Sequence, residues 1–256
     1  MVDNAVGFTP RVALASLSGA SDAAWARGGA RHVGAAFLGG IALDEPTRSA
    51  ARRMVERGRE EFLPPDPFAF VADQLAALAD VPVRAGFNVR ASGPDPVERA
   101  ARICRDHDAV LEVNAHCRQD EMCAAGAGES LLRDPDRLCA QVRAAGTGAT
   151  VSVKVRTEVD GVDLPALSAR LGDAGADLVH VDAMDSEPVV GEVVAATDAA
   201  VIANNGVRDH ATVREYLEYG ADAVSVGRPS DDPEVLRRVR AATEEWFARK
   251  AADPSP

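Results

Sequence analysis

The sequence predicts a single-domain α/β fold, a (β/α)8 TIM barrel, and three observations carry that expectation. Short apolar runs rich in Val, Ala and Leu alternate with helix-period segments eight times over 256 residues. The strand ends from the third to the eighth each carry polar residues, where strand interiors favour apolar ones. No G-x-G-x-x-G follows the first strand, which weakens the alternative, an open doubly wound sheet.

The elements follow in order. Arg11–Ala15 reads as a strand, and Ser21 or Asp22 can cap a helix running through Arg27. A second strand is expected at His32–Phe37, closed by Gly39-Gly40, and an acidic-basic helix from about Pro46 to Glu61. Pro64-Pro65-Asp66-Pro67 breaks that helix, and Phe68–Ala79 forms another. Strands are then expected at Val83–Val89, Ala109–Val113, Thr150–Val155, Asp177–Val181, Ala200–Ala203 and Ala223–Val226. The helices between them are expected at Asp95–Asp106, after Asp134-Pro135, at Asp163–Ala174, Glu187–Ala196 and His210–Tyr219, with a last one at Asp232–Arg249. The barrel is assigned to residues 1–250 and a disordered tail to 251–256.

Composition narrows the function. The hydrophobic fraction of 46% supplies a core, yet aromatics are only 4%, so Ala, Val and Leu must fill it. A net charge of −12 disfavours non-specific binding to DNA, because phosphates are repelled overall. Arg48, Arg52, Arg53, Arg57 and Arg59 are interleaved with Glu56, Glu60 and Glu61, the pattern of a solvated helix face. No apolar run of membrane length and no signal peptide is seen, and the four cysteines form no C-x-x-C; a cytoplasmic protein with reduced thiols is expected.

In a barrel the active-site groups gather at the C-terminal ends of the strands. Here those ends carry Asn88 and Arg90, then Asn114, His116 and Cys117, then Lys154 and Arg156, His180 and Asp182, Asn204-Asn205-Gly206, and Gly227-Arg228. Lys154 is one of two lysines in the chain and lies in a strand. A buried ammonium must meet an anion or lose its proton, so a functional role or an ion pair with Glu112 is expected. The loops at Asn205-Gly206 and Gly227-Arg228 follow the seventh and eighth strands, where barrels often hold phosphate on backbone amides. His116, Cys117, Cys123 and His180 match no zinc spacing, so no metal is expected.

Taken together, these motifs resemble the flavin-dependent barrel reductases around tRNA-dihydrouridine synthase, most closely a short archaeal branch distantly similar to dihydroorotate dehydrogenase. Ser18-Gly19-Ala20-Ser21-Asp22 resembles the A-G-V-T-D loop beside the flavin, and Asn88 stands at a flavin-contacting Gln. Asn114-Ala115-His116-Cys117 matches N-x-G-C-P, whose Cys donates a proton. Gly126–Pro135 is similar to a G-x-G-x-x-L-L-x-x-P run. Lys154-Val155-Arg156 matches K-x-R, His180 a histidine beside the flavin, and Asn205-Gly206 with Gly227-Arg228 the phosphate loops. The resemblance implies FMN as cofactor, held by Ser18, Gly19, Asn88, Lys154, His180, Asn205, Gly206, Gly227 and Arg228, with NADPH or NADH as electron donor. It implies Cys117, Lys154 and His180 as catalytic residues, and Asn114, His116 and Arg156 as substrate contacts. The substrate would be a uracil-type ring, in a tRNA uridine or a small-molecule pyrimidine.

The pattern departs from the synthases at His116-Cys117-Arg118, which replaces G-C-P, and beyond the eighth helix, where Ala251–Pro256 offers no counterpart to their C-terminal helical domain. Reducing a conjugated C=C bond requires hydride on one carbon and a proton on the other. A thiol of ordinary pKa, about 8.5, keeps its proton at neutral pH and can supply it. The alternatives are a dihydroorotate or dihydropyrimidine dehydrogenase-like flavoenzyme, a flavin-free phosphate-binding barrel that uses Lys154 as a Schiff base, and a non-catalytic binding protein.

Overall fold

In a computed structural model that describes residues 4–252, eight parallel strands close into a barrel in sequence order, each bonded to the next and the eighth to the first. The strands are β1 (Val12–Leu14), β2 (Ala35–Ala42), β3 (Arg84–Arg90), β4 (Val110–Asn114), β5 (Thr150–Arg156), β6 (Leu178–Asp182), β7 (Ala200–Asn204) and β8 (Ala223–Val226). The helices are α1 (Ala23–Gly29), α2 (Glu45–Glu56), α3 (Pro67–Ala76), α4 (Pro94–Asp106), α5 (Asp120–Ala124), α6 (Pro135–Gly146), α7 (Leu164–Asp173), α8 (Val189–Ala196), α9 (His210–Glu218) and α10 (Pro233–Ala252).

Asp-x-x-x and Asp-Pro signals start these helices by ordinary capping chemistry. Asp22, Asp44, Asp66, Asp134, Asp163 and Asp209 each accept from an amide of the first turn, and Pro occupies that turn in α2, α3, α6 and α7 without wasting a hydrogen bond. Asp44 does more: its second oxygen accepts from both the amide and the hydroxyl of Ser92 at 2.7 Å, tying the start of α2 to the end of β3.

Three boundaries depart from expectation. The second strand lies at 35–42 rather than 32–37, because Gly39-Gly40 forms an irregularity inside it and does not end it. A side chain at Gly40 would collide with Asn88 Oδ1 at 2.7 Å, so the glycine makes room for a polar side chain inside the barrel. The second helix ends at Glu56, not Glu61, and residues 59–66 cross the barrel mouth without regular structure. Between β4 and α6 the chain adds α5 and a 3-10 turn, Gly128–Arg133, that sequence periodicity did not announce. Ala251 and Ala252 continue α10, and the rest of the expected tail lies outside the described residues.

The apolar core has two parts. A large shell of Val, Leu and Ala side chains fills the space between barrel and helices. Inside the barrel, the N-terminal end is plugged by Val6, Phe8, Phe37, Val110, Leu178 and Ile202. Among the described residues no helix is long and apolar enough to cross a membrane. Phe37, with Phe8 the largest side chain of the plug, is 1% exposed. Phe37→Ala is expected to destabilise the fold by roughly 3–5 kcal/mol, read as a lower urea midpoint at unchanged m-value.

Candidate active site

The plug closes one end of the barrel, so polar side chains gather at the other. They form two tiers. The lower tier is buried and centres on Glu112 of β4, which is 0% exposed. Its carboxylate accepts from Asn88 Nδ2 at 2.7 Å, Ser152 Oγ at 3.0 Å and His180 Nδ1 at 2.7 Å. Asn114 Nδ2 donates to Asn88 Oδ1 at 2.8 Å, while Asn114 Oδ1 accepts from the amides of Cys117 at 3.0 Å and His116 at 3.3 Å. On the far side, His180 Nε2 lies 2.7 Å from Ser225 Oγ, which is 3.0 Å from Asn204 Oδ1. A chain of polar contacts thus crosses the barrel from the Cys117 loop to the end of β7.

Charge in this tier follows from burial. Burial pushes the Glu112 carboxyl up, but His180, Lys154 and the bond from Asn88 outweigh it and hold its pKa below the usual range. Burial pushes His180 down, with Lys154 adding to it against the pull of Glu112. A neutral His180 facing a carboxylate keeps its proton on Nδ1.

The upper tier lines a cavity of about 810 Å3 at the C-terminal ends of the strands. Its floor includes Lys154, 2% exposed, whose ammonium has no hydrogen bond or ion pair at contact distance among the described residues. Burial lowers the Lys154 pKa, opposed by Glu112 and Asp182. Arg156 lies beside it and is held by Glu129 at 2.9 Å, its Nε buried without a partner. Arg90, 2% exposed, pairs with Glu61 at 2.6 Å and donates to Ser18 Oγ. His116 Nε2 approaches Asp182 Oδ2 at 3.6 Å, and its Nδ1 is buried and unpartnered.

Cys117, 9% exposed, packs among Ala42, Met54, Met122 and Ala127 and reaches the same cavity. Its loop is pinned from outside by the 3-10 turn. Glu129 donates its amide to the Cys117 carbonyl at 2.9 Å, and Gly128, at φ +64°, passes so close that a Cβ would lie 2.2 Å from that oxygen. On the β7–β8 side, Asn205 and Gly206 both take positive φ, and side chains built at Gly206 and Gly227 would meet nothing nearer than 3.8 Å. The 3-10 turn Arg228–Asp231 starts at Gly227 without a side-chain cap; Pro229 has no N–H and the Ser230 amide bonds the Gly227 carbonyl at 2.9 Å, so the Arg228 amide is the donor at the turn's start without a side-chain acceptor.

The structure therefore brings Ser18, His116, Cys117, Lys154, Arg156, Asn205, Gly206, Gly227 and Arg228 to one cavity. Four expected contacts lie elsewhere. Asn88, Asn114 and His180 belong to the buried lower tier with their polar atoms already bonded, so they position the cavity wall instead of lining it. Gly19, at φ +74°, lies against the backbone of Glu60, 2.5 Å from where its Cβ would be, and serves that close approach. Arg90 and Asp182 received no role from the sequence although both are strand-end polar residues, the signal that found the others. Glu61 gave no such signal, because its segment reads as helix.

Comparison with known proteins follows the geometry. A family model described as dihydrouridine synthase (Dus) matches residues 82–254. The uncharacterized protein MJ0144 of Methanocaldococcus jannaschii is 26% identical over 85% of this chain and 88% of its own length. A tRNA-dihydrouridine synthase B of Xanthomonas campestris is 27% identical over 86% of this chain, which spans 66% of that synthase. Among solved structures, morphinone reductase in complex with tetrahydroNAD superposes with a TM-score of 0.67 at 13% identity, covering 91% of this chain and 87% of its own. FabK of Thermotoga maritima gives 0.57 at 14% identity over 88% and 62%. These superpositions show the barrel fold.

One pH response follows from the upper tier. Burial, with Lys154, Arg90, His180 and Arg156 adding to it, holds the His116 pKa well below 6.5. The unfolded chain takes up that proton near the ordinary imidazole pKa of about 6.5 while the folded chain does not, so stability is lost as pH falls below about 6.5. Denaturant midpoints are expected to drop between pH 7.5 and 5.5, and His116→Gln to make that slope shallower by at most about 1.4 kcal/mol per pH unit. An unchanged slope in the variant counts against this account.

Proposed function

The chain belongs to the dihydrouridine synthase family, one of flavin-dependent barrel oxidoreductases, and from that premise we propose that it is an FMN-dependent reductase of a uracil-type C=C bond. The observation that carries the reading is the pairing, in one cavity, of Cys117 with a cationic floor and an open backbone cradle. The residues fit FMN on their own chemistry. At Gly206 and Gly227 the backbone borders open space that a phosphate would fill, next to the Arg228 side chain and its amide, which has no side-chain cap. Lys154 is a buried cation source lacking a contacting acid, suited to the anionic N1/O2 edge of a flavin. Ser18, held by Arg90, borders the same space.

When bound and reduced, FMN supplies hydride to the C=C carbon. The chain does the rest. Cys117 delivers the proton to the neighbouring carbon from a wall of Ala and Met side chains. His116, kept neutral by burial, is a poor acceptor for the thiol proton, which favours an acid over a thiolate. Asn114 holds the amides of both residues, so the orientation of the acid is transmitted from Glu112 through Asn88. Arg156 and Asp182 present opposite charges to the carbonyls and N–H of a uracil-type ring. A nicotinamide, NADPH or NADH, is the proposed electron donor. Both a tRNA uridine and a free pyrimidine derivative fall within this reading.

Purified protein reconstituted with FMN is expected to show a flavin absorbance spectrum, and a chain that takes up no FMN overturns the proposal. Cys117→Ala should retain the flavin and slow reoxidation of reduced protein by substrate by about 10²–10⁴-fold; equal turnover removes Cys117 from the mechanism. Lys154→Met is expected to weaken FMN binding by about tenfold or more, measured by equilibrium fluorescence.

A further inference from the structure

We infer that Arg59 and Arg118 form a phosphate subsite, separate from the cofactor cradle, that holds the 5′-phosphate of the uridine unit whose ring reaches Lys154. The ring's identity rests on the reductase reading above; the anion's does not.

The arginine-rich run that reads as a solvated helix face resolves into individual partners. Arg48 donates to the Pro64 carbonyl, Arg52 pairs with Glu45, Arg53 donates to Ser49, and Arg57 pairs with Glu121 at 2.5 Å. Arg59 is left over. Among the described residues its guanidinium has no hydrogen bond or ion pair, and it lines the cavity. Arg118 stands in the same condition and on the same cavity. The nearest acids in sequence, Glu60 and Asp120, do not line it. In a chain of net charge −12, two arginines left without acids at one mouth are a local positive field, the kind that draws an anion.

Arg59 is placed, not loose. Its segment is anchored at three points. Arg57 reaches Gln119 at 3.1 Å and Glu121, the Glu60 backbone packs on Gly19, and Glu61 pairs with buried Arg90. The first anchor joins residues 57–61 to the loop that carries Arg118, so the two arginines stand on segments fastened to each other at one cavity. Arg118 also sits where the synthase pattern has proline, next to Cys117.

Topology separates this pair from the cradle. In a closed ring of eight strands in sequence order, β4, which leads into Cys117 and Arg118, lies opposite β8, which leads into Gly227 and Arg228. An anion between Arg59 and Arg118 therefore belongs to a second molecule entering on the Cys117 side. Depth selects its chemistry. Cys117 and Lys154 are 9% and 2% exposed, whereas both arginines are exposed at the rim. A carboxylate fixed directly on the ring would stay at ring depth. A phosphate one ribose away reaches the rim, and two guanidinium forks suit its three oxygens.

The test is titration calorimetry on FMN-loaded and on flavin-free protein, with uridine 5′-monophosphate, uridine, and a single-stranded RNA oligonucleotide with internal uridines. The nucleotide is expected to bind on the order of tenfold or more tighter than uridine. Arg59→Gln and Arg118→Gln should each erode that preference and together abolish it, with uridine affinity unchanged and Arg238→Gln on α10 without effect. Equal affinities for nucleotide and nucleoside in the unmodified protein, or a preference that survives the double substitution, overturns the inference. An oligonucleotide that displaces the nucleotide in an arginine-dependent way supports the subsite with a polynucleotide as the phosphate source. Failure to displace it supports the subsite with a free nucleotide. An arginine-dependent preference in a protein that takes up no flavin retains the subsite and sinks the reductase reading, whereas flavin reoxidation by uridine and its nucleotide with equal affinities does the reverse.

Discussion

A carboxylate sealed inside a barrel is the constraint from which this site is built. Glu112 is out of contact with water, and an ion so placed costs several kcal/mol unless every lone pair is answered. Three donors from three neighbouring strands answer it: Asn88 from β3, Ser152 from β5 and His180 from β6. Asn88 is thereby fixed in rotamer and His180 in tautomer, and these two are committed to second partners, Asn114 and Ser225. The requirement propagates outward to Asn114 and the Cys117 loop on one side and to Ser225 and Asn204 on the other. The geometry of the reactive wall is in this sense the solution to an electrostatic problem one tier below it.

Strand number, order and most helix ends were legible in the sequence, because alternation and Asp or Pro caps are local signals. Gly39-Gly40 misled for a physical reason: the glycines yield space to Asn88 across the sheet, and that need is non-local. The site was legible as a list of strand-end polar residues, and its depth was not. Asn88, Asn114 and His180 differ from Lys154 and Cys117 only by which tier of the barrel they occupy. Tier is set by strand stagger, which leaves no mark in periodicity. The segment after Glu56 was the largest miss, since its interleaved charges satisfy a helix pattern while Gly58, at φ +84°, ends the helix.

The tiers also divide labour between rigidity and contact. Polar groups in the lower tier are mutually satisfied, so that layer behaves as fixed scaffolding. The upper tier keeps unfilled valence at Lys154, at His116 Nδ1 and at Arg156 Nε, the places where a bound molecule gains most from protein donors and acceptors already in position. Such preorganisation is purchased by the layer beneath.

The segment across the mouth carries a consequence for how this barrel can change. The βα loops of such folds are commonly regarded as exchangeable modules, each altered without its neighbours. Here residues 57–61 belong to the β2–β3 connection yet fasten to the loop after β1, the end of β3 and the loop after β4. Grafting any one of these loops from a relative would remove one anchor of the set: Gly19 against Glu60, Glu121 with Arg57, or the pair Glu61–Arg90, whose side chains are almost wholly buried. Four connections are therefore inherited together, and new specificity at this mouth must arise by substitution within the set.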